Sequence, residues 1–107
     1  MKLPELLSRY QAGQRNFQNL NLIAINLRNQ NLSGADFSGS NLSGANLSNA
    51  NLSYANLSQV NLTKAKVQGT NLNQANLCDA ILQDVDLSQT NYAKARAHTT
   101  VARSRSL

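Results

Sequence analysis

The sequence predicts an all-β solenoid, and three observations carry that prediction. A large apolar residue recurs at every fifth position through residues 15–94, the residue two before it is usually small, and the residue just before it is Asn or Asp in nearly every unit. Around this repeat the sequence predicts a short capping helix over residues 1–14 and a degenerate basic tail over residues 95–107.

The N-terminal element comes first. Leu3, Leu6, Leu7 and Tyr10 fall at i, i+3, i+4 and i+7, one face of a helix. Pro4 suits the first helical turn and Gly13 suits the stop. An amphipathic helix of this size has its apolar stripe free to cover the open end of the adjoining segment.

That segment, residues 15–94, is the repeat. Its centres are Phe17, Leu22, Leu27, Leu32, Phe37, Leu42, Leu47, Leu52, Leu57, Leu62, Val67, Leu72, Leu77, Leu82, Leu87 and Tyr92, sixteen units in all. Asn precedes the centre in twelve units and Asp in two, and Ser or Thr comes after it in eight. The consensus is Ala-Asn-Leu-Ser-x.

A period of five excludes straight secondary structure. In an α-helix each step of five rotates the side chain by roughly 140°, which spreads the leucines over every face. In a straight strand an odd spacing sends successive leucines to opposite faces of the sheet. A bend in every unit removes the conflict. The centre and the small residue two before it then point inward together, the Asn between them points outward, and the two residues after the centre form a corner. Phe17 and Phe37, Lys64 and Asp84, and Lys66 and Asp86 are each twenty apart. Four units per coil would stack every one of these pairs, with a small gain from the opposite charges.

Tandem Ala-Asn-Leu-Ser-x over residues 15–94 resembles the pentapeptide-repeat family. The resemblance implies a right-handed quadrilateral β-helix of about four coils, with the centres and small residues above inside it. The helix running into Arg15-Asn16-Phe17 is similar to the N-terminal cap of cyanobacterial members. Stability in such a stack is a sum of coil and interface terms, so the ends are its weak points. At the far end Ala97 replaces the centre and residues 98–107 lose the pattern. The expectation there is an end that is frayed, or one covered by a partner or by a second copy, as a homodimer.

Composition agrees with a narrow repeat. A chain of 107 residues with 41% hydrophobic content and no Trp is lean for a conventional core. The net charge of +5 divides into +1 over residues 1–14, +1 over 15–94 and +3 over 95–107. The body is almost neutral. Cys78 has no second cysteine to pair with, and neither an export signal nor a run long enough to span a bilayer is evident, so the expected location is cytoplasmic.

Motifs for chemistry are missing. There is no phosphate loop, dinucleotide glycine pattern, zinc-protease motif or paired-cysteine ligand set. Gly34, Gly39 and Gly44 are five apart and read as corners. Asp36, Asp79, Asp84 and Asp86 sit at outward positions without an acid/base partner. His98 would stack over Cys78 if the coil continued, but two ligands do not complete a metal site. The six Asn-Leu-Ser/Thr triplets from Asn31 to Asn61 match the glycosylation pattern and are explained by the repeat itself, with the Asn side chains available to form ladders between coils. No catalytic residue, cofactor, metal or small-molecule substrate is expected.

Function therefore falls to surfaces. The first expectation is a non-catalytic structural or interaction module, meeting a protein partner through the outward corner residues Tyr54, Gln59, Lys64, Gln74, Asp79 and Asp84. The family resemblance adds a second, since some members resemble duplex DNA and bind type II topoisomerases such as gyrase. Arg15, Arg28, Lys64, Lys66 and Lys94 oppose the four Asp of the body and argue against that mimicry. A third is weak binding to nucleic acid or an anionic surface through Arg96, Arg103 and Arg105, three charges without aromatic interleaving.

Overall fold

In a computed structural model of the chain, residues 1–92 and 94–96 are described. Helix α1 spans Leu3–Gln11, with Pro4 in its first turn, where the missing N–H has no intrahelical acceptor to lose. The chain leaves it through Gly13, whose φ of +104° lies in the region that favours glycine. Leu6 is fully buried against the solenoid, and Leu3, Leu7 and Tyr10 pack beside it. The Tyr10 hydroxyl donates to the Ser33 carbonyl at 2.7 Å, and the Arg15 guanidinium stacks 3.7 Å over the Tyr10 ring. These contacts fasten the cap to the first circuit.

From Asn16 onward the chain winds with a fixed register. Parallel bridges join residues twenty apart, as in Asn16–Asp36, Asn41–Asn61 and Asn76–Arg96. Twenty residues thus make one circuit of four sides. The pairing consists of isolated bridges rather than extended strands, because a corner every five residues leaves only the position before each centre in a straight segment. The ladder reaches Arg96, two residues past the expected limit of the repeat.

Each unit ties itself to the next circuit in the same way. The Leu57 N–H donates to the Asn76 carbonyl at 2.7 Å, the Asn76 N–H donates to the Ala55 carbonyl at 2.9 Å, and the corner N–H of Gln59 donates to the Cys78 carbonyl at 3.0 Å. Within the unit the Val60 N–H donates to the Leu57 carbonyl at 3.2 Å and closes the turn. The third residue of the turn has positive φ, as type II turns require. Glycine fills that place at Gly34, Gly39, Gly44 and Gly69, while residues such as Ala24, Tyr54 and Lys64 accept it at φ near 60°.

The interior is a column of apolar side chains. Fifteen of the centres, from Phe17 to Leu87, are buried, and so are Ala35, Ala45, Ala50, Ala55, Ala65, Ala75 and Ala80 two residues ahead of theirs. Phe17 and Phe37 stack with ring centroids 5.6 Å apart. Burial of a Leu side chain stabilises by about 1.5–3 kcal/mol, and the centres of the middle circuits are buried between the circuits above and below. Tyr92 departs from the expectation of a buried sixteenth centre and is 38% exposed. It has the Leu72 circuit beneath it and no described circuit above.

Where the bonds of the Asn side chains are described, they run within the unit and not as the expected ladders between coils. Their Oδ1 atoms accept the backbone N–H two residues on, as in Ser43 to Asn41 and Ser58 to Asn56, both at 3.0 Å. Each is a local Asx turn that prepares the corner. Polar residues at the small inward position have a separate use. Thr70 Oγ1 donates to the Leu47 carbonyl at 2.7 Å and Thr90 Oγ1 to the Val67 carbonyl at 2.9 Å, one circuit below. Ser40 inserts its hydroxyl into a turn, accepting from the Leu20 N–H and donating to the Phe17 carbonyl.

Candidate functional site

The register assigns every outward residue to one of four faces and four corners. The six candidate surface residues divide among three corners as vertical pairs, with Tyr54 below Gln74, Gln59 below Asp79 and Lys64 below Asp84. They do not form one patch. A partner that reached all six would have to wrap three edges of the rod.

The Lys64–Asp84 stack does not close as an ion pair, and among the described residues the only salt bridge is Glu5–Arg9 on α1, 2.7 Å apart and exposed. The next pair, Lys66 and Asp86, marks the one skipped rung in the bridge series, which runs from Asn61–Ile81 to Asn71–Asn91. Gln89 is also the one described corner residue without positive φ. Turns with and without positive φ at the third residue differ by rotation of the central peptide, so the Ser88 carbonyl leaves the ladder and the Gly69 N–H bonds the Gln89 carbonyl instead, at 2.7 Å. The change is confined to this turn, because the register of twenty resumes at Asn71–Asn91. A groove of about 470 Å³ opens along it, with Lys64, Lys66 and Gln68 on one side and Asp84, Asp86 and Ser88 on the other. The sequence carries the signal: residues 65–69 form the one unit with neither Asn nor Asp before its centre and neither Leu nor an aromatic at it.

A second groove of about 450 Å³ lies where α1 meets the first circuit, between Leu7, Tyr10 and Gln11 on one side and Arg15, Gln30 and Asn31 on the other. Arg15 is anchored at this groove by Nη1, which donates to the Tyr10 and Gln14 carbonyls.

Among the carboxylates, Asp36 occupies the place of an Asn. Burial raises its pKa, but the Ser38 N–H and hydroxyl and the Gln18 amide bond the carboxylate, and the net shift is downward. The Ser38 N–H lies 2.9 Å from Oδ1 and Gln18 Nε2 lies 2.7 Å from Oδ2. These contacts hold Asp36 as a structural acceptor. Cys78 takes a Ser position, half-buried, with its N–H on Asn76 Oδ1. Among the described residues no three His, Cys, Asp or Glu side chains converge as a metal site would need. His98, Arg103 and Arg105 lie outside the described residues, and Arg96 pairs with Asn76 in the ladder. No helix among the described residues is long and apolar enough to cross a membrane.

Comparison with known proteins matches this geometry. The pentapeptide repeats family matches residues 16–53, 40–77 and 55–91, as eight copies. No curated protein matches the chain. Among solved structures, a pentapeptide repeat protein of the cyanobacterium Cyanothece 51142 is 35% identical over 81% of this chain, with a TM-score of 0.55. A pentapeptide repeat protein of the Arabidopsis thaliana thylakoid lumen is 23% identical over 79% of this chain, with a TM-score of 0.56. The chain spans 63% of the length of each. The plasmid-mediated fluoroquinolone resistance protein QnrB1 shares the fold at 17% identity and a TM-score of 0.50, over 85% of this chain and 58% of its own.

Proposed function

Because the chain belongs to the pentapeptide-repeat family, we propose that it acts as a non-catalytic interaction module, a right-handed four-sided rod of about four coils that presents corner side chains to a protein partner. Residues 1–14 cap the rod, 15–94 form its body, and 95–107 form its tail. The observation that carries this reading is the corner itself. Tyr54 stands 61% exposed on a backbone whose N–H is bonded to the Asn73 carbonyl at 3.0 Å, so its display costs no folding contact. Tyr is also among the residues that dominate protein interfaces.

The test is affinity capture by the full chain beside three variants, each with one vertical pair replaced by Ala: Tyr54/Gln74, Gln59/Asp79 and Lys64/Asp84. A protein held by the wild type and lost with one pair supports corner display. Equal recovery by all three variants contradicts it, and turnover of a substrate by the purified chain contradicts the non-catalytic assignment. Homodimerisation through the C-terminal end is a separate proposal, read by light scattering on the full chain and on a chain ending at residue 96.

Mimicry of DNA finds less support in the charges. Arg28, Lys66 and Asp86 share one face, Asp36 and Arg96 another, and Lys64 and Asp84 one corner, so no side of the rod is uniformly acidic.

A further inference from the structure

We propose that the face carrying Leu32, Leu52 and Leu72 binds a neutral, extended polysaccharide laid along the rod axis. This inference goes beyond the protein-interaction reading and does not rest on it.

Three independent features meet on this face. The first is the distribution of charge. In the twenty-residue register the ionisable residues of the body fall on the Phe17 face, on the Leu27 face and on the corners of Lys64 and Asp79, and Lys94 lies at the top of the Tyr54 corner. From Asn31 to Asn73 the Leu32 face carries none. The Leu22 face is also uncharged, but its Asn column stops at Ile81 and its corners hold Lys64, Asp84 and Asp79.

The second feature is an unbroken Asn column, Asn31, Asn51, Asn71 and Asn91, bridged through successive circuits. On the Phe17 and Leu27 faces the matching columns are interrupted by Asp36 and by Lys66. The Oδ1 atoms of Asn31, Asn51 and Asn71 already accept from Ser33, Ser53 and Asn73 at 3.2, 3.0 and 2.9 Å. The acceptor of each amide is committed to the backbone, which leaves Nδ2 as the group turned to solvent. The face is thus a row of neutral hydrogen-bond donors at Asn31, Asn51 and Asn71, spaced by about 4.8 Å.

The third feature is Tyr54, at the edge of this face, with its ring exposed beneath Gln74. An aromatic ring beside a row of polar groups offers an apolar platform.

These features select the ligand. An uncharged donor row suits a ligand rich in neutral oxygen acceptors, and the ring suits one with an apolar C–H face. A sugar chain has both. Anionic polymers gain little from the column itself, whose nearest cations are Arg15 at its lower end and Lys94 at its upper end. Between its corners the face lacks the desolvated apolar centre that a protein partner needs, since its exposed large apolar groups, among the described residues, are Tyr54 at the edge and Tyr92 at the top. A second copy of this face would set donors against donors.

The experiment is an NMR titration of the full chain with cellohexaose, with alginate as a polyanionic comparator. The expected result is saturable shifts in the side-chain amides of Asn31, Asn51 and Asn71, with little response to alginate. Tyr54→Ala should weaken binding about tenfold, or 1.4 kcal/mol. Asn51→Asp keeps an oxygen for the Ser53 N–H, as Asp36 does for Ser38, but removes the outward donor, and it should weaken binding comparably. Lys64→Ala, on another corner, should leave affinity unchanged. Absence of shifts at millimolar cellohexaose overturns the proposal. So do shifts confined to other faces, a preference for alginate, or full affinity in both Tyr54→Ala and Asn51→Asp.

Discussion

The side-chain amide of Asn49 occupies the space into which a Cβ on Gly69 would project. Gly69 also has a φ of +74°, so two constraints fall on one residue. Gly44 has only the second, with φ +68° and open space around it. Gly44→Ala should cost about 1–2 kcal/mol, the ordinary penalty of a left-handed L-residue. Gly69→Ala should cost more, and Asn49→Ala in the same chain should recover the excess. Urea midpoints of the four proteins check this; equal costs for the two glycines would show that the Asn49 contact is not limiting.

Leu57 is fully buried at the centre of the rod and Tyr54, three residues earlier, is mostly exposed. Leu57→Ala should cost about 2–5 kcal/mol through the cavity it leaves. Leu57→Lys should cost more still, because a charge without a partner is placed in the apolar column. Tyr54→Lys should stay within about 0.5 kcal/mol. Thermal melts of the three variants decide whether inward and outward positions are assigned correctly.

The buried hydroxyls separate into two cases. In Thr70→Val the Leu47 carbonyl keeps the Ala50 N–H, 2.9 Å away, so the cost should be about 1 kcal/mol. In Ser40→Ala both the Leu20 N–H and the Phe17 carbonyl lose the same hydroxyl. That loss should cost about 1–3 kcal/mol unless the turn closes directly, as it does at Ile25 and Leu22. Denaturant unfolding of both variants, with hydrogen exchange at the Leu20 amide, distinguishes the outcomes.

Asp36 predicts one component of acid sensitivity. Its folded pKa is lowered, so its contribution is fully present above the unfolded value of about 3.9 and is lost as pH falls through the lower folded value. Asp36→Asn keeps an acceptor for the Ser38 N–H and removes the titration. The melting temperature of the variant should fall less than that of the wild type between about pH 5 and pH 2, the window that brackets carboxylate titration. Parallel pH profiles would exclude Asp36 as a contributor.

The winding of this chain was legible because a period of five admits no straight element, and the same arithmetic put Leu57 inside and Tyr54 outside. The helix was legible from Leu3, Leu6, Leu7 and Tyr10. Less legible was anything fixed by the register as a whole. Tyr54, Gln59 and Lys64 look like one series along the sequence, yet the chain turns a corner between each and the next. The altered turn at Gln89 was written in Lys66 and Val67, but as a loss of consensus it gave no direction. Asn roles divided similarly: composition marks Asn as polar and outward, while its choice of its own backbone over its neighbour depends on the corner that begins two residues later.

The twenty-residue register also constrains how such a rod changes length. Removing a single five-residue unit keeps every leucine inside and every corner bent, so the rod could still wind. All residues beyond the cut would nevertheless move round by one side, and the Asn column above Asn31 would continue on a neighbouring face. Only insertions and deletions of twenty leave surface columns aligned. Length can therefore vary in small steps where folding alone is selected, and in whole circuits where a particular side of the rod is in use.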